Sequence, residues 1–534
     1  MHKISLVIVV KIHDLRKAPY IFDPLYGIIR LPEFIWKVIP CTELQRLREI
    51  RLCNINSFCL VGGANINRYE HAIGTCYLAL ESLKHWPPLN PVSEREQTRF
   101  ALAALLHDVL NAPFGHSLEY IESKEGYFPE KSFKNVILEK KSQSYEYRKA
   151  MLEPFFFGMP KELASKVSEE DISAIGEIIE GKGRFGPLIN GKMDLDNIDN
   201  VFRFAYHAGI SKSTDVPLKL ARSLWTENEQ LTIKEDALPL VKQWHNVRKR
   251  LYEFLLLNPE EFSAKCMLSE VIEFAKIRSK DIFTWHDTDY EFLLKLSKVP
   301  DAREEVKEPI LTIDGGFKEE FMNLSISEKF IDLLKENGYR LSPNAQIVAT
   351  KSGWRIYDKA RVYFVAVRKP SLCVCKLVLR GFEGSKVIQR LMKGELYGCI
   401  GIFSTSKVER RAMLEDSTQR KELENCISIE IRNRFGGRFR NAIVVLHLIK
   451  DIDKTERQIT IKTDAGTYST VGKSSNRLLL GAFFRNSSLT MHNIDPTSEI
   501  LKSIRNEVKS HLSLYLEDPN LNALEMYGEA KQND

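Results

Sequence analysis

Apolar positions recur at steps of three and four residues from about residue 20 to residue 300. The stretches "EHAIGTCYLALESLKHW" at 70–86 and "REQTRFALAALLHDV" at 95–109 show this spacing clearly. It is the period of a helix with one buried face. The pattern therefore predicts a helical region through this part of the chain.

Beyond about residue 340 the pattern changes to alternation or to short apolar runs, as in "RVYFVAVR" at 361–368 and "NAIVVLHLI" at 441–449. Such runs are typical of strands, and helical stretches lie between them. The charged segment at 297–310 separates the two regions. We therefore predict a mainly α protein, with a helical domain over residues 1–310 and an α+β C-terminal region over residues 311–534.

Composition narrows the class of protein. The chain has 534 residues, 43% of them apolar and 28% charged, as expected of a soluble protein with more than one domain. The early apolar run at 4–10 is too short to cross a bilayer, so no membrane association is expected. Nine cysteines without a CxxC pair indicate reduced thiols and a cytoplasmic location. A net charge of +6 suits anionic substrates without requiring nucleic acid.

Candidate chemistry concentrates in "ALLHDVLNAPFGHSLE" at 104–119. A helical run ends in adjacent His107 and Asp108, is interrupted by turn-forming residues, and is followed by His116 and Glu119. Imidazole and carboxylate groups together bind divalent metals well. Neighbours on one helix point in different directions, so a metal site here needs further ligands from other helices.

Two further ligands stand out elsewhere in the chain. His71 lies near the start of a helical run, and Asp196 lies in "DLDNIDNVFRFAYHAGI" at 194–210. Asp194 and Asp199 compete with Asp196 within the same DxDxxD spacing. Each of these features also has a structural interpretation, because acidic residues at a helix start complement the helix dipole.

Taken together and in this order, the motifs resemble the HD-domain phosphohydrolases. Within them they resemble the deoxynucleoside triphosphate triphosphohydrolases, which include the bacterial dGTPase type and its animal relatives. The resemblance rests on the two stretches above and on three shorter ones, which are "IFDPLYGIIRLP", "LQRLREIR" and "NRYEHAIG". These motifs lie between residues 21 and 210.

The resemblance implies a site with one divalent metal ion, which could be manganese, magnesium, iron, nickel or cobalt. The implied metal ligands are His71, His107, Asp108 and Asp196. It also implies that His116, oriented by Glu119, activates the attacking water. Arg68 is expected near the substrate phosphates, with Arg203 and His207 as further candidates that could equally be structural.

The implied reaction is hydrolysis of deoxynucleoside triphosphates to deoxynucleoside and triphosphate. Family members often form homo-oligomers that bind an activating nucleotide, so both are expected here. The family carries Tyr and then Asp where this chain has Asn200 and Phe204, and a Phe accepts no hydrogen bond from a sugar. Two alternatives therefore stay open. One is another phosphate ester as substrate, such as a ribonucleotide, a cyclic or oligonucleotide, or single-stranded nucleic acid. The other is a nucleotide-sensing regulatory protein.

Overall fold

The structure is a computed structural model that describes residues 19–52, 65–115, 167–278, 287–300, 302–314, 335, 346–350, 353–358, 361–368, 371–405, 411 and 414–512. The described chain divides into two compact units. The first contains the described residues up to Lys298 and those of Ile449–Leu478, and the second contains the described residues of Val299–Leu448 and those from Leu479 onward. The predicted domain boundary at residue 310 stays a prediction.

Helices dominate the first unit. Within its described residues the α-helices are α1 (Glu33–Val38), α2 (Thr42–Gln45), α3 (Arg68–Lys84), α4 (Glu94–Leu106), α5 (Glu169–Ile179), α6 (Leu195–His207), α7 (Val216–Ala221), α8 (Leu238–Leu257), α9 (Pro259–Arg278) and α10 (Asp289–Ser297). Helix α3 packs against both α4 and α6. The core between them is lined by small and branched apolar side chains, including Ala72, Leu105 and Ile198.

Short sheets complete this unit. Strands β1 (Tyr20–Asp23) and β2 (Gly27–Arg30) form a hairpin. Strands β3 (Leu224–Glu227) and β4 (Gln230–Ile233) form another, and β4 pairs in parallel with a strand at Ile459–Thr463 from much later in the chain. That later strand pairs in turn with the strand at Tyr468–Val471.

The second unit is α+β. Its five-stranded sheet comprises β5 (Ala302–Asp314), β6 (Gln346–Thr350), β7 (Gly353–Asp358), β8 (Arg361–Arg368) and β9 (Ser371–Phe382) in the order β5-β9-β8-β7-β6. A three-stranded sheet comprises β10 (Gly398–Thr405), β11 (Val444–Ile452) and β14 (Asn476–Phe484) in the order β10-β14-β11. The labels β12 and β13 denote the strands at Ile459–Thr463 and Tyr468–Val471, which form one sheet with the β3–β4 hairpin as described above. The described part of this region has the α-helices α11 (Gly384–Lys393), α12 (Ser417–Phe435) and α13 (Glu499–Leu512).

The predicted fold class is confirmed: a mainly helical region precedes an α+β region. The apolar spacing was sufficient for this because the helical faces are long and strands such as β8 and β14 contain strongly apolar runs. The charged start of β5, within the segment at 297–310, gave no such signal. Among the described residues, no helix combines the length and apolarity that crossing a membrane requires. The apolar run at 4–10 lies outside the described residues.

Capping side chains stand at the N-terminal ends of two helices that carry the candidate site, α3 and α4. The side chain of Asn67 accepts from the backbone N–H of Glu70 at the start of α3. Ser93 and Glu96 form a capping box at the start of α4. Such caps satisfy N–H groups that have no partner within the helix. They fix where each helix begins.

Candidate metal centre

His71 lies in the first turns of α3 with its side chain fully buried between α3 and α6. Its Nδ1 atom lies 2.7 Å from Oδ2 of Asp199, and its Nε2 atom lies 2.8 Å from Oδ1 of Asp196. A carboxylate only accepts, so Nδ1 carries the proton that faces Asp199. Nε2 also faces a carboxylate, so it too donates while the ring is protonated. Once that proton is released, Nε2 becomes an acceptor that a metal ion can bind.

The three aspartates of the DxDxxD spacing have separate roles in the structure. Asp194 is the N-cap of α6 and accepts from the backbone N–H of Asn197 at 2.6 Å. Asp196 faces Nε2 of His71, and Asp199, one turn further along, faces Nδ1 of the same ring. Burial and the neighbouring charge of Asp196 raise the pKa of Asp194 to about 7. The sequence favours Asp196 as the ligand from its place in this spacing, with Asp194 and Asp199 as competitors, and that choice stays a prediction.

His107 and Asp108 follow directly after the end of α4. His107 is the C-cap residue, and its Nδ1 atom lies 2.9 Å from the carbonyl oxygen of Ala104. That carbonyl needs a donor, so Nε2 of the neutral His107 ring is also an acceptor. The two Nε2 atoms of His71 and His107 lie only 3.2 Å apart.

When both rings are neutral, four acceptor groups meet at one point. Besides the contacts above, Nε2 of His107 lies 3.5 Å from Oδ1 of Asp196 and 3.5 Å from Oδ1 of Asp108, and Nε2 of His71 lies 3.9 Å from Oδ2 of Asp108. Atoms bound about 2.1 Å from one ion are separated by about 3.0 to 3.4 Å in octahedral or tetrahedral geometry. His71, His107 and Asp108 therefore form a group that could hold a metal ion.

The protonation of the two rings reflects the same concentration of negative charge. Burial lowers the pKa of His71, but its hydrogen bonds to Asp196 and Asp199 outweigh this effect and raise the pKa to about 10. Burial likewise opposes protonation of His107, and the charges of Asp108 and Asp196 raise its pKa nonetheless. The site attracts positive charge, which a proton or a metal ion can supply.

The turn after His107 and Asp108 is held by contacts from distant residues. The guanidinium of Arg46 donates to the carbonyl oxygens of Val109 and Asn111 at 3.1 and 2.6 Å. Phe114 has a positive φ of 55°, which is unusual for a residue other than glycine. Its backbone N–H donates to Asp289 at 2.7 Å, and this contact helps to hold the turn.

Arg68 lies beside the centre at the start of α3. Its NH1 atom donates to Oδ2 of Asp108 at 2.7 Å, and its side chain is only 4% exposed. A Cβ atom at Gly115, whose φ is +47°, would collide with this guanidinium. Glycine at residue 115 therefore leaves the room that Arg68 occupies.

Arg203 and His207, on the later turns of α6, form a network behind His71. Arg203 is fully buried and donates to Asp199 at 2.9 Å and to Glu70 at 2.6 Å, with Asp23 also 2.9 Å away. His207 lies 3.0 Å from the same Glu70 oxygen. The structure thus places both residues among protein carboxylates.

Four further residues singled out from the sequence are His116, Glu119, Asn200 and Phe204. His116 and Glu119 lie outside the described residues. Phe204 is 2% exposed and packs in the core, whereas Asn200 on the same helix is partly exposed. Helix α6 therefore carries an apolar core residue at the second of the two positions where the family reads the sugar.

Two residues that matter for this geometry were missed from the sequence. Asp199 was considered only as a rival ligand, although its contact to Nδ1 orients His71. Gly74, in the middle of α3, lies where a Cβ atom would collide with Asp199 and Arg203. A glycine inside a strongly helical pattern, three residues after His71, was the available signal for such a close approach.

Comparison with known families agrees with this geometry. The HD domain profile matches residues 68–199, a range that contains His71, His107, Asp108 and Asp196. The chain contains an HD domain. Its resemblance to the HD-domain phosphohydrolases is thereby confirmed.

Individual relatives of this HD-domain chain are distant. It is 23% identical over 278 residues to the deoxynucleoside triphosphate triphosphohydrolase SAMHD1 homolog of Dictyostelium discoideum, covering 49% of this chain and 51% of that protein. It is 25% identical over 272 residues to the uncharacterized protein YwfO of Bacillus subtilis, covering 51% of this chain and 57% of that protein. It is 27% identical over 252 residues to the deoxynucleoside triphosphate triphosphohydrolase SAMHD1 of Mus musculus, covering 42% of this chain and 36% of that protein. The chain thus spans about half the length of the first two relatives, and about a third of the third.

Proposed function

We propose that this protein is a metal-dependent phosphohydrolase that converts deoxynucleoside triphosphates to deoxynucleoside and triphosphate. One observation carries the proposal: acceptor groups of His71, His107, Asp108 and Asp196 meet within the matched HD domain. Distant relatives with triphosphohydrolase names support the substrate class.

The four residues fit one divalent ion because both imidazoles present Nε2 and both carboxylates lie within ligand spacing of these atoms. Manganese, magnesium, iron, nickel and cobalt all accept such ligands. A bound ion would supply Lewis-acid stabilisation of phosphoryl oxygens. Asp199 and the Ala104 carbonyl would keep the two imidazoles in the tautomer that such binding needs.

Arg68 is the residue we assign to the substrate phosphates. Its guanidinium lies next to Asp108, and its Nε atom has no hydrogen-bond partner within the described part of the chain. A positive charge there would stabilise the negative charge on the phosphoryl oxygens. For Arg203 we propose instead that it positions Asp199, because its donors already face protein carboxylates.

His116 and Glu119 remain our proposal for proton transfer. If they act in this way, replacing His116 by Ala should leave metal binding intact while turnover falls, because the imidazole would move a proton without holding the ion. The matching readouts are manganese affinity and turnover in the same preparation.

The test is incubation of the purified protein with manganese and each deoxynucleoside and ribonucleoside triphosphate, singly and mixed, with chromatographic separation of products. Asp108→Ala removes a proposed ligand, and Asp236→Ala replaces an exposed aspartate as the matched control. We expect nucleoside and triphosphate from deoxynucleotides with the wild type and Asp236→Ala only. Equal turnover by Asp108→Ala would overturn the proposal.

A second candidate is hydrolysis of another phosphate ester. The observation that favours it is that Phe204, which is buried and offers no carboxylate, stands at the position where the family contacts the sugar. Ribonucleotides, cyclic and oligonucleotides and single-stranded nucleic acid belong in the same assay. Turnover of one of these, with deoxynucleotides inert, would favour the second candidate over the first.

Assembly and regulation extend the proposal. We propose a homo-oligomer with an activating nucleotide, which light scattering and the mixed-nucleotide incubations test. Tight nucleotide binding without product in any mixture would favour a nucleotide-sensing regulator instead. The cytoplasmic location stays a prediction.

A further inference from the structure

The segment Ile449–Leu478 belongs to the same compact unit as the HD domain, although it follows Asp196 by more than 250 residues. It contains β12 and β13 and contacts the chain just before and within the first turn of α6. We infer that Arg457 in this segment is a positioning residue for Asp196. The inference rests on the proposed metal centre and on no particular substrate.

Arg457 connects the segment to the start of α6 by its side chain. Its NH1 atom donates to the carbonyl oxygen of Lys192 at 2.9 Å and to Oδ1 of Asn197 at 3.3 Å. The amide Nδ2 of Asn197 in turn donates to Oδ1 of Asp194 at 2.9 Å. One guanidinium therefore holds both the loop before the helix and the side chain that contacts its N-cap.

This contact matters because it acts on the turn that carries Asp196. Asp194 accepts from the backbone N–H groups of Gly191 and Asn197, both at 2.6 Å, and so fixes the first turn of α6. Asp196 is the most exposed of the four proposed ligands, with a side chain 30% exposed against 0% for His71 and 9% for Asp108. Packing holds it least, so the geometry of its helix turn decides where its carboxylate points.

Arg457 is itself held in place. Its Nε atom donates to the carbonyl oxygen of Asp453 at 3.1 Å, and its own carbonyl oxygen lies 3.1 Å from Nε2 of His245 on α8. Gly472 has a φ of +77°, and a Cβ atom there would collide with this carbonyl oxygen and with His245. Neighbouring Trp244 on α8 donates to the carbonyl oxygen of Asn197 at 3.4 Å. Helix α8 thus contacts both Arg457 and Asn197, the two residues that link the segment to α6.

The experiment is titration of the full chain with manganese alone, followed by electron paramagnetic resonance of the free ion. We expect Arg457→Ala to weaken manganese binding about tenfold, as is typical when a residue that orients a ligand is removed. Arg457→Lys, which keeps the charge on a single donor nitrogen, should recover part of the affinity. Asn197→Ala should weaken binding, and adding it to Arg457→Ala should cause little further loss, because both act through one connection.

Lys462→Ala is the matched control. Lys462 lies in the same segment but pairs with Glu227 on β3, away from α6. We expect it to bind manganese as the wild type does. Equal weakening by Lys462→Ala and Arg457→Ala would show a general loss of packing and overturn the inference, as would wild-type affinity in Arg457→Ala.

Further outcomes distinguish the positioning role of Arg457 from misfolding of the variant and from an error in the proposed substrate. If Arg457→Ala does not fold, judged by circular dichroism, then Arg457→Lys and Asn197→Ala decide the question by the same titration. Failure of the wild type to bind manganese would overturn the metal centre itself. Manganese binding without turnover of any nucleotide would leave the positioning role standing and overturn only the proposed substrate.

Discussion

His71 and Asp199 are joined by a 2.7 Å hydrogen bond from Nδ1 to Oδ2, which leaves Nε2 of the imidazole directed at Asp196 and His107. A neutral histidine has one donor nitrogen and one acceptor nitrogen, so the partner at Nδ1 determines what Nε2 offers. Asp199 therefore influences the metal centre without being one of the proposed ligands.

We expect Asp199→Asn to weaken manganese binding by about 10 to 100-fold, as found when the hydrogen-bond partner of a ligating imidazole is lost. The amide has nearly the shape of the carboxylate, but it can donate to Nδ1 and so move the ring proton to Nε2. Calorimetric titration with manganese measures the change, with Asp236→Asn as the control. Unchanged affinity would show that Asp199 does not set the tautomer.

The closeness of α3 and α6 gives a second prediction, at Gly74. Helix propensity alone would make Gly74→Ala stabilising by about 1 kcal/mol. A Cβ atom at this position would however collide with the buried side chains of Asp199 and Arg203, and overpacking of this kind costs about 1 to 3 kcal/mol. We expect the collision to dominate, so that the melting temperature and manganese affinity both fall. A raised melting temperature would contradict this expectation.

Some residues of the candidate site could be predicted from the sequence more directly than others. His107 and Asp108 are neighbours after a strongly helical run, so their shared place at a helix end was predictable from local pattern. The choice between Asp196 and Asp199 was not, because both lie on α6 within one turn and only the packing of α6 against α3 assigns them to opposite sides of His71. Spacing along one helix contains no information about a ring on another.

Arg203 and Arg457 show two further limits. Arg203 was considered for phosphate binding because of its charge, but it is buried among Asp23, Glu70 and Asp199, which come from three separate elements. Arg457 reaches Asn197 across 260 residues of sequence, and its surroundings contain no local signal for that contact. Both depend on tertiary packing, which composition and periodicity do not encode.

A third prediction concerns the proposed phosphate contact. We expect Arg68→Gln to lower kcat/KM for the deoxynucleotide substrate by about 100-fold, because a charge-assisted donor near the developing phosphoryl charge is removed. Arg68→Lys should retain part of the activity, since it keeps the charge but offers a single nitrogen. Steady-state kinetics at saturating manganese measure both variants. Equal losses in the two would indicate that Arg68 acts through packing beside Gly115 and not through its charge.

Glu81, on the last turn of α3, allows a pH-dependent test of stability away from the metal centre. Its buried carboxylate accepts from Lys84 at 2.7 Å and from Arg222 at 2.8 Å. Burial raises the pKa of Glu81, but these two partners outweigh it and lower the pKa below its ordinary value of 4.5. A lowered folded-state pKa stabilises the protein above the pKa of the unfolded chain, and this contribution is lost as the pH falls through the folded-state value.

We therefore expect Glu81→Gln to reduce the free energy of unfolding at pH 7 by about 1 to 2 kcal/mol, since one partner in each pair is partly exposed to solvent. The difference from wild type should shrink as the pH is lowered below 4.5 and vanish once Glu81 is protonated in the folded state as well. Urea unfolding followed by tryptophan fluorescence at several pH values measures this, with exposed Glu235→Gln as the control. A deficit that is the same at every pH would mean that the substitution acts through packing, and that the charge of Glu81 contributes nothing.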